Sequence, residues 1–110
     1  MFVEENVWME YLAGSKDLFK IVGESFVKDY ASYHSEIVQN IRDKKIDDLH
    51  NQLHSLKGIT LNLGMKKLYD QTENTLIPIR KDIIDTKEFD ELLKVFDASY
   101  LELKGVLANM

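Results

Sequence analysis

Apolar residues recur at steps of three and four along nearly the whole chain, and almost nothing interrupts them. Over residues 16–43 they are Leu18, Phe19, Val22, Phe26, Tyr30, Tyr33, Ile37 and Ile41. Over 46–63 they are Leu49, Leu53, Leu56 and Leu63, with Thr60 completing the stripe. The pattern resumes with Leu68, Tyr69, Thr72 and Leu76, then with Phe89, Leu92, Leu93, Phe96, Tyr100, Leu103 and Leu107. Such spacing gives an α-helix one buried face. A single Pro and five Gly in 110 residues are too few breakers for a strand-and-turn fold. The expectation is an all-α fold in one domain spanning 1–110. It comprises an antiparallel up-down-up-down four-helix bundle over 15–108 and a short extra N-terminal helix within 1–14.

Punctuation residues divide the pattern. Val3, Val7 and Tyr11 stand four apart on the N-terminal helix, where Trp8 is expected to act as a lid over one end of the core. Gly14-Ser15 breaks that helix and offers Ser15 as the next N-cap. The polar run Arg42-Asp43-Lys44-Lys45 suits a tight helix connection, and Asp47 and Asp48 suit the first turn that follows. Gly64 reads as a C′ residue or as a close helix crossing. Gly23, inside a helix, implies close packing against a neighbour. Pro78 predicts a kink or break near 75–77. Asp85 or Thr86 is the expected cap of the last helix, with Glu88 reaching back.

Bulk properties exclude several classes. The absence of cysteine removes disulfides and thiolate metal sites and suits a reducing, cytoplasmic setting. A net charge of −5 argues against nucleic acid or an anionic membrane as the main partner. No apolar run approaches the roughly 20 residues that span a bilayer. The first residues lack the basic stretch of a secretory signal.

The chemistry-bearing stretch is His54-Ser55-Leu56-Lys57-Gly58-Ile59-Thr60-Leu61-Asn62-Leu63-Gly64. On a helix, His54, Lys57 and Gly58 share one side, because residues three and four apart are neighbours. At 100° per residue, the face carrying His50, His54, Lys57, Gly58 and Leu61 lies about 130° from the leucine stripe. His54 is therefore expected on the outside of the bundle, beside a cation and a position with no side chain. A glycine inside a helix costs about 1 kcal/mol and needs a reason.

His-Ser-Leu-Lys-Gly, followed by Asn-Leu-Gly at 62–64, resembles the signature of histidine-containing phosphotransfer (HPt) domains. The resemblance extends over about residues 15–107. It covers the long preceding helix, the Asp-Lys-Lys-Ile-Asp-Asp-Leu turn and helix start, and the two helices that follow. Pro78 departs from that pattern in the fourth element. The resemblance implies a phosphoryl carrier in a two-component phosphorelay rather than a self-sufficient enzyme. His54 would accept a phosphoryl group from the aspartate of a response-regulator receiver domain, or from a sensor histidine kinase through such a receiver. It would pass the group to another receiver. An imidazole of ordinary pKa, about 6.5, is largely neutral and nucleophilic near pH 7. Lys57 would steady the phosphoryl oxygens as a point charge, and Gly58 would leave room for the partner. Asn51, Ser55 and Leu61 are the expected docking residues. The chain needs no cofactor of its own on this reading, since Mg²⁺ belongs to the receiver. The expected state is a monomer.

Two other readings fit parts of the sequence. The chain is alternatively a helical interaction module without phosphotransfer. Asp47, His50 and His54 also align at helix-face spacing and would suit a metal. No Glu-x-x-His motif on another helix accompanies them, however, and their face points outward. His34 lies off the apolar stripe and reads as a solvated histidine, and Arg80 as a surface arginine able to reach toward the site.

Overall fold

The longest apolar stripe makes the longest helix. In the computed structural model, which describes all 110 residues, α6 (Thr86–Ala108) runs for 23 residues. At about 1.5 Å per residue it accounts for most of the molecule's 39 Å length. Before it come α1 (Glu5–Tyr11), α2 (Lys16–Asp29), α3 (Tyr33–Arg42), α4 (Ile46–Thr60) and α5 (Lys66–Ile79), with a 3-10 turn at Leu61–Leu63 and no strand. The packing closes on itself: α3 lies on α4, α4 on α5, α5 on α6, and α6 on both α2 and α3. The 19 buried apolar residues form one contiguous cluster. No helix is long and apolar enough to cross a membrane.

The stripe expected on α4 is the one observed. Leu49, Leu53, Leu56, Thr60 and Leu63 are all fully buried. Each such leucine contributes about 1.5–3 kcal/mol relative to exposure. The buried hydroxyls sit within the helices' own backbone: Thr60 donates to the Lys57 carbonyl, Thr72 to Leu68 and Ser99 to Val95. No buried side-chain polar atom lacks a partner. Between helices, Tyr100 donates to the Val27 carbonyl at 2.6 Å and Tyr33 to the Gln52 carbonyl at 3.3 Å. Burial, with Tyr30 and Glu36 nearby, pushes the Tyr33 hydroxyl far above its ordinary range, so it remains a donor.

Residues 16–43 do not form one helix. The ladder breaks at Tyr30-Ala31-Ser32, where the Tyr33 N–H bonds the Tyr30 carbonyl three residues back. α2 packs on α6, and α3 packs on both α4 and α6. The aromatic ladder survives the bend, with Tyr30 and Tyr33 rings 5.2 Å apart and Tyr33 4.8 Å from Phe96. Spacing of three and four therefore persists through the break and hides it.

Pro78 does not break α5, which continues to Ile79. It falls in the last turn, so only the bond to the Asn74 carbonyl is lost. Its own carbonyl accepts the Lys81 and Ile83 N–H groups, and Asp82 takes the left-handed conformation that closes the helix. Similarly, the helix expected through Leu63 stops as α-helix at Thr60 and tightens into the 3-10 turn. Ser15 caps α2 and Asp85 caps α6, each accepting an N–H three residues on. Glu88, expected to reach back, instead accepts from Gln71 of α5 at 2.9 Å. Gly23 packs as expected: a Cβ there would stand 3.0 Å from Leu107 of α6.

The N-terminal segment is pinned by Gly64. This residue closes the 3-10 turn at φ 72°, with its N–H on Leu61 and the Met65 N–H on Thr60. Its carbonyl accepts the Glu4 N–H at 2.9 Å, and a Cβ would meet the Glu4 carbonyl oxygen at 2.4 Å. Glu102 of α6 accepts the Phe2 and Val3 N–H groups. Trp8 then stacks on Phe19 with centroids 4.2 Å apart, the lid anticipated from the sequence. The buried side of this segment is Val3 and Trp8. Tyr11, expected on the same face as Val3, is 54% exposed, while Val3 itself precedes the helix.

Gly64→Ala is expected to destabilise the fold by at least about 1–2 kcal/mol, the cost of a left-handed alanine, before the clash with Glu4 is counted. Urea unfolding measures the loss. The fluorescence of Trp8, the only tryptophan, should red-shift in the folded variant as the lid lifts.

Candidate functional site

α4 carries the site because its buried stripe fixes its rotation. With Leu53 and Leu56 fully buried, His54 is exposed, Lys57 half-buried and Gly58 exposed on the opposite side. His54, Lys57, Gly58 and Leu61 line one shallow open groove of about 340 Å³ with Asn62, Tyr69 of α5 and Tyr11 of α1. Gly58 has nothing within 4 Å of where a Cβ would be, and its φ is not in the left-handed region. Neither packing nor backbone conformation inside the molecule calls for a glycine there.

The expected docking residues separate. Leu61 joins the His54 groove. Asn51 and Ser55, both exposed, line a different hollow with Tyr30, Tyr33 and Gln52 on the α3 side. α4 thus presents His54 with a depression to either side.

Lys57 is not a free cation. Its Nζ pairs with the Glu73 carboxylate of α5 and lies 5.6 Å from the centroid of the Tyr69 ring. Glu73 also accepts Arg80 Nη1 at 2.7 Å, so Arg80 faces Glu73 rather than standing alone at the surface. Arg80, then Lys57, hold the Glu73 carboxyl far below its usual range, down to about 2. The three charges form a chain across the α4–α5 interface with a net charge of +1.

His50 and His54 have nearly parallel rings with centroids 6.2 Å apart. Asp47 lines the hollow of residues 44–48 at the start of α4. No three His, Asp or Glu side chains converge as a metal site would need. His34 is exposed yet not merely solvated, since its Nδ1 meets the Asp97 carboxylate of α6 at 2.9 Å.

Sequence reasoning missed Tyr11, Asn62 and Tyr69 as neighbours of His54, and Glu73 as the partner of Lys57. Glu73 and Arg80 stand two turns apart on one face, a signal available in the spacing. The link from Glu73 to Lys57 exists only once α4 and α5 are packed. No family model, curated protein or solved structure matches the chain.

The Glu73 network gives a pH prediction. A carboxyl held below its unfolded value stabilises the fold above that value and loses the contribution as pH falls through the folded one. Between about pH 4.5 and pH 2 the wild-type protein should lose stability that Glu73→Gln never had. Denaturation midpoints across that window should therefore fall less steeply in the variant. The difference should shrink in high salt, because Glu73 is 31% exposed.

Proposed function

We propose that this chain is a histidine phosphotransfer module of the HPt type, working in a two-component phosphorelay. The observation that carries the reading is the grouping at the groove. An exposed imidazole, a cation one turn on and a glycine with no internal reason stand together on the outward face of α4. About 1 kcal/mol of helix propensity is given up at Gly58, on the face that also carries His54 and Lys57. A domain-sized partner approaching His54 is the simplest occupant.

On this reading α2 and α3 together form one arm of an antiparallel four-helix bundle, α4, α5 and α6 form the others, and α1 is the N-terminal lid. A receiver domain docks over α4. The lone pair of an imidazole nitrogen of His54 attacks the phosphorus of its acyl phosphate. The N–P bond forms as the P–O bond to the aspartate breaks. The aspartate leaves as carboxylate and the ring proton passes to solvent. The reverse reaction hands the group to a second receiver. Lys57 supplies positive charge for the phosphoryl oxygens, and Gly58 lets the partner's backbone approach. The receiver's acidic pocket brings Mg²⁺. The chain is then a carrier, and its proposed location is the cytoplasm, alongside its kinase and receivers.

The test is incubation with a phosphorylated receiver domain and Mg²⁺, followed by mapping of acid-labile, base-stable label. Label should appear on His54 and vanish in His54→Gln, while His50→Ala retains it. Label that persists in His54→Gln overturns the assignment. Gly58→Ala separates site from fold: it should stabilise the helix by up to about 1 kcal/mol in thermal unfolding. At the same time it should slow transfer from the receiver.

A further inference from the structure

Lys57 meets His54's groove already engaged, and its partner is itself doubly held. Resting on the phosphotransfer reading above, we infer that Glu73 is a positioning residue that competes with the phosphoryl group for Lys57. Arg80 is the reserve counter-ion that lets Lys57 change partners.

The argument is one of charge accounting at short range. In the resting protein the Glu73 carboxylate takes both Lys57 and Arg80. Its charge offsets that of Lys57, so the groove offers less positive potential than its residues suggest. A phosphoryl group on His54 adds close to two negative charges one helical turn from Lys57. Lys57 gains by turning to it. The loss to Glu73 is limited, because Arg80 still holds that carboxylate at 2.7 Å, through Nη1. Without Arg80, release of Lys57 would leave Glu73 unpaired in a position only 31% exposed. The half-buried Lys57 side chain, 26% exposed and lying against Tyr69, is constrained to swing between these two anions. Glu73 and Arg80 together set how far phosphorylation of His54 runs.

The experiment measures the equilibrium share of phosphoryl group on His54 against a phosphorylated receiver, for wild type, Glu73→Gln and Arg80→Gln. Glu73→Gln should raise that share about two- to fivefold, the range for one partly exposed ion pair, and Arg80→Gln should lower it. Should Glu73→Gln lose helix content by circular dichroism, Glu73→Asp, one methylene shorter, carries the same expected direction. In a Lys57→Gln background, removal of the Glu73 charge should have no effect, because the competition acts through Lys57. A merely structural role for the network would lower the share in both single variants, and that result overturns the inference. So does an effect of Glu73→Gln that survives in Lys57→Gln. Wild type that takes no label on His54 overturns the phosphotransfer reading itself, whereas wild type labelled with all variants alike overturns only the role of Glu73.

Discussion

The rotation of α4 about its own axis is the constraint on which the site depends. Five positions at steps of four, three, four and three are fully buried, between α3 and α5. Rotating the helix by one residue, about 100°, would carry His54 toward the interior and expose leucines worth about 1.5–3 kcal/mol each. The core therefore does more than hold the molecule together. It sets the direction in which an imidazole, an ammonium and an absent side chain face. The closing of the same helix matters as much. Gly64 ends it in the one backbone conformation that also admits the Glu4 main chain, and so ties the N-terminal lid to the site-bearing helix.

Legibility in the sequence followed the range of the interactions involved. The α4 stripe and the outward face of His54 were readable because helical phase is a local property. Ser15, Asp85 and Gly23 were readable for the same reason, each signalled by residue type and position. The bend at Tyr30-Ala31-Ser32 was not, since the apolar spacing stays in phase across it. Pro78 misled because proline's penalty depends on its distance from the helix end, which rested on the left-handed turn at Asp82. Tyr11 reaches the groove only through the packing of α1 on the 3-10 turn that ends α4, which no spacing shows. The Lys57–Glu73 pair spans two helices and no spacing rule reaches it.

Three glycines in helical surroundings now have three different explanations. Gly23 makes room for Leu107 and Gly64 for the Glu4 backbone, so both answer to the interior. Gly58 answers to nothing within the molecule. Gly105 of α6 is also open, so openness alone marks no site. What distinguishes Gly58 is its company on the face of α4.

That company also bears on the chemistry proposed for the chain. The groove is shallow and open to water. Strong electrostatic catalysis needs a low-dielectric, preorganised enclosure. An exposed imidazole flanked by one shared cation has no such enclosure of its own. On the proposed phosphotransfer reading a receiver domain covering the groove would supply one, and the flat approach over Gly58 leaves space for it. The Lys57–Glu73–Arg80 chain bears on the same proposal. On the proposed reading, a carrier must hold its group firmly enough to travel and loosely enough to release it. A cation divided between Glu73 and a phosphoryl group on His54 would provide that intermediate grip.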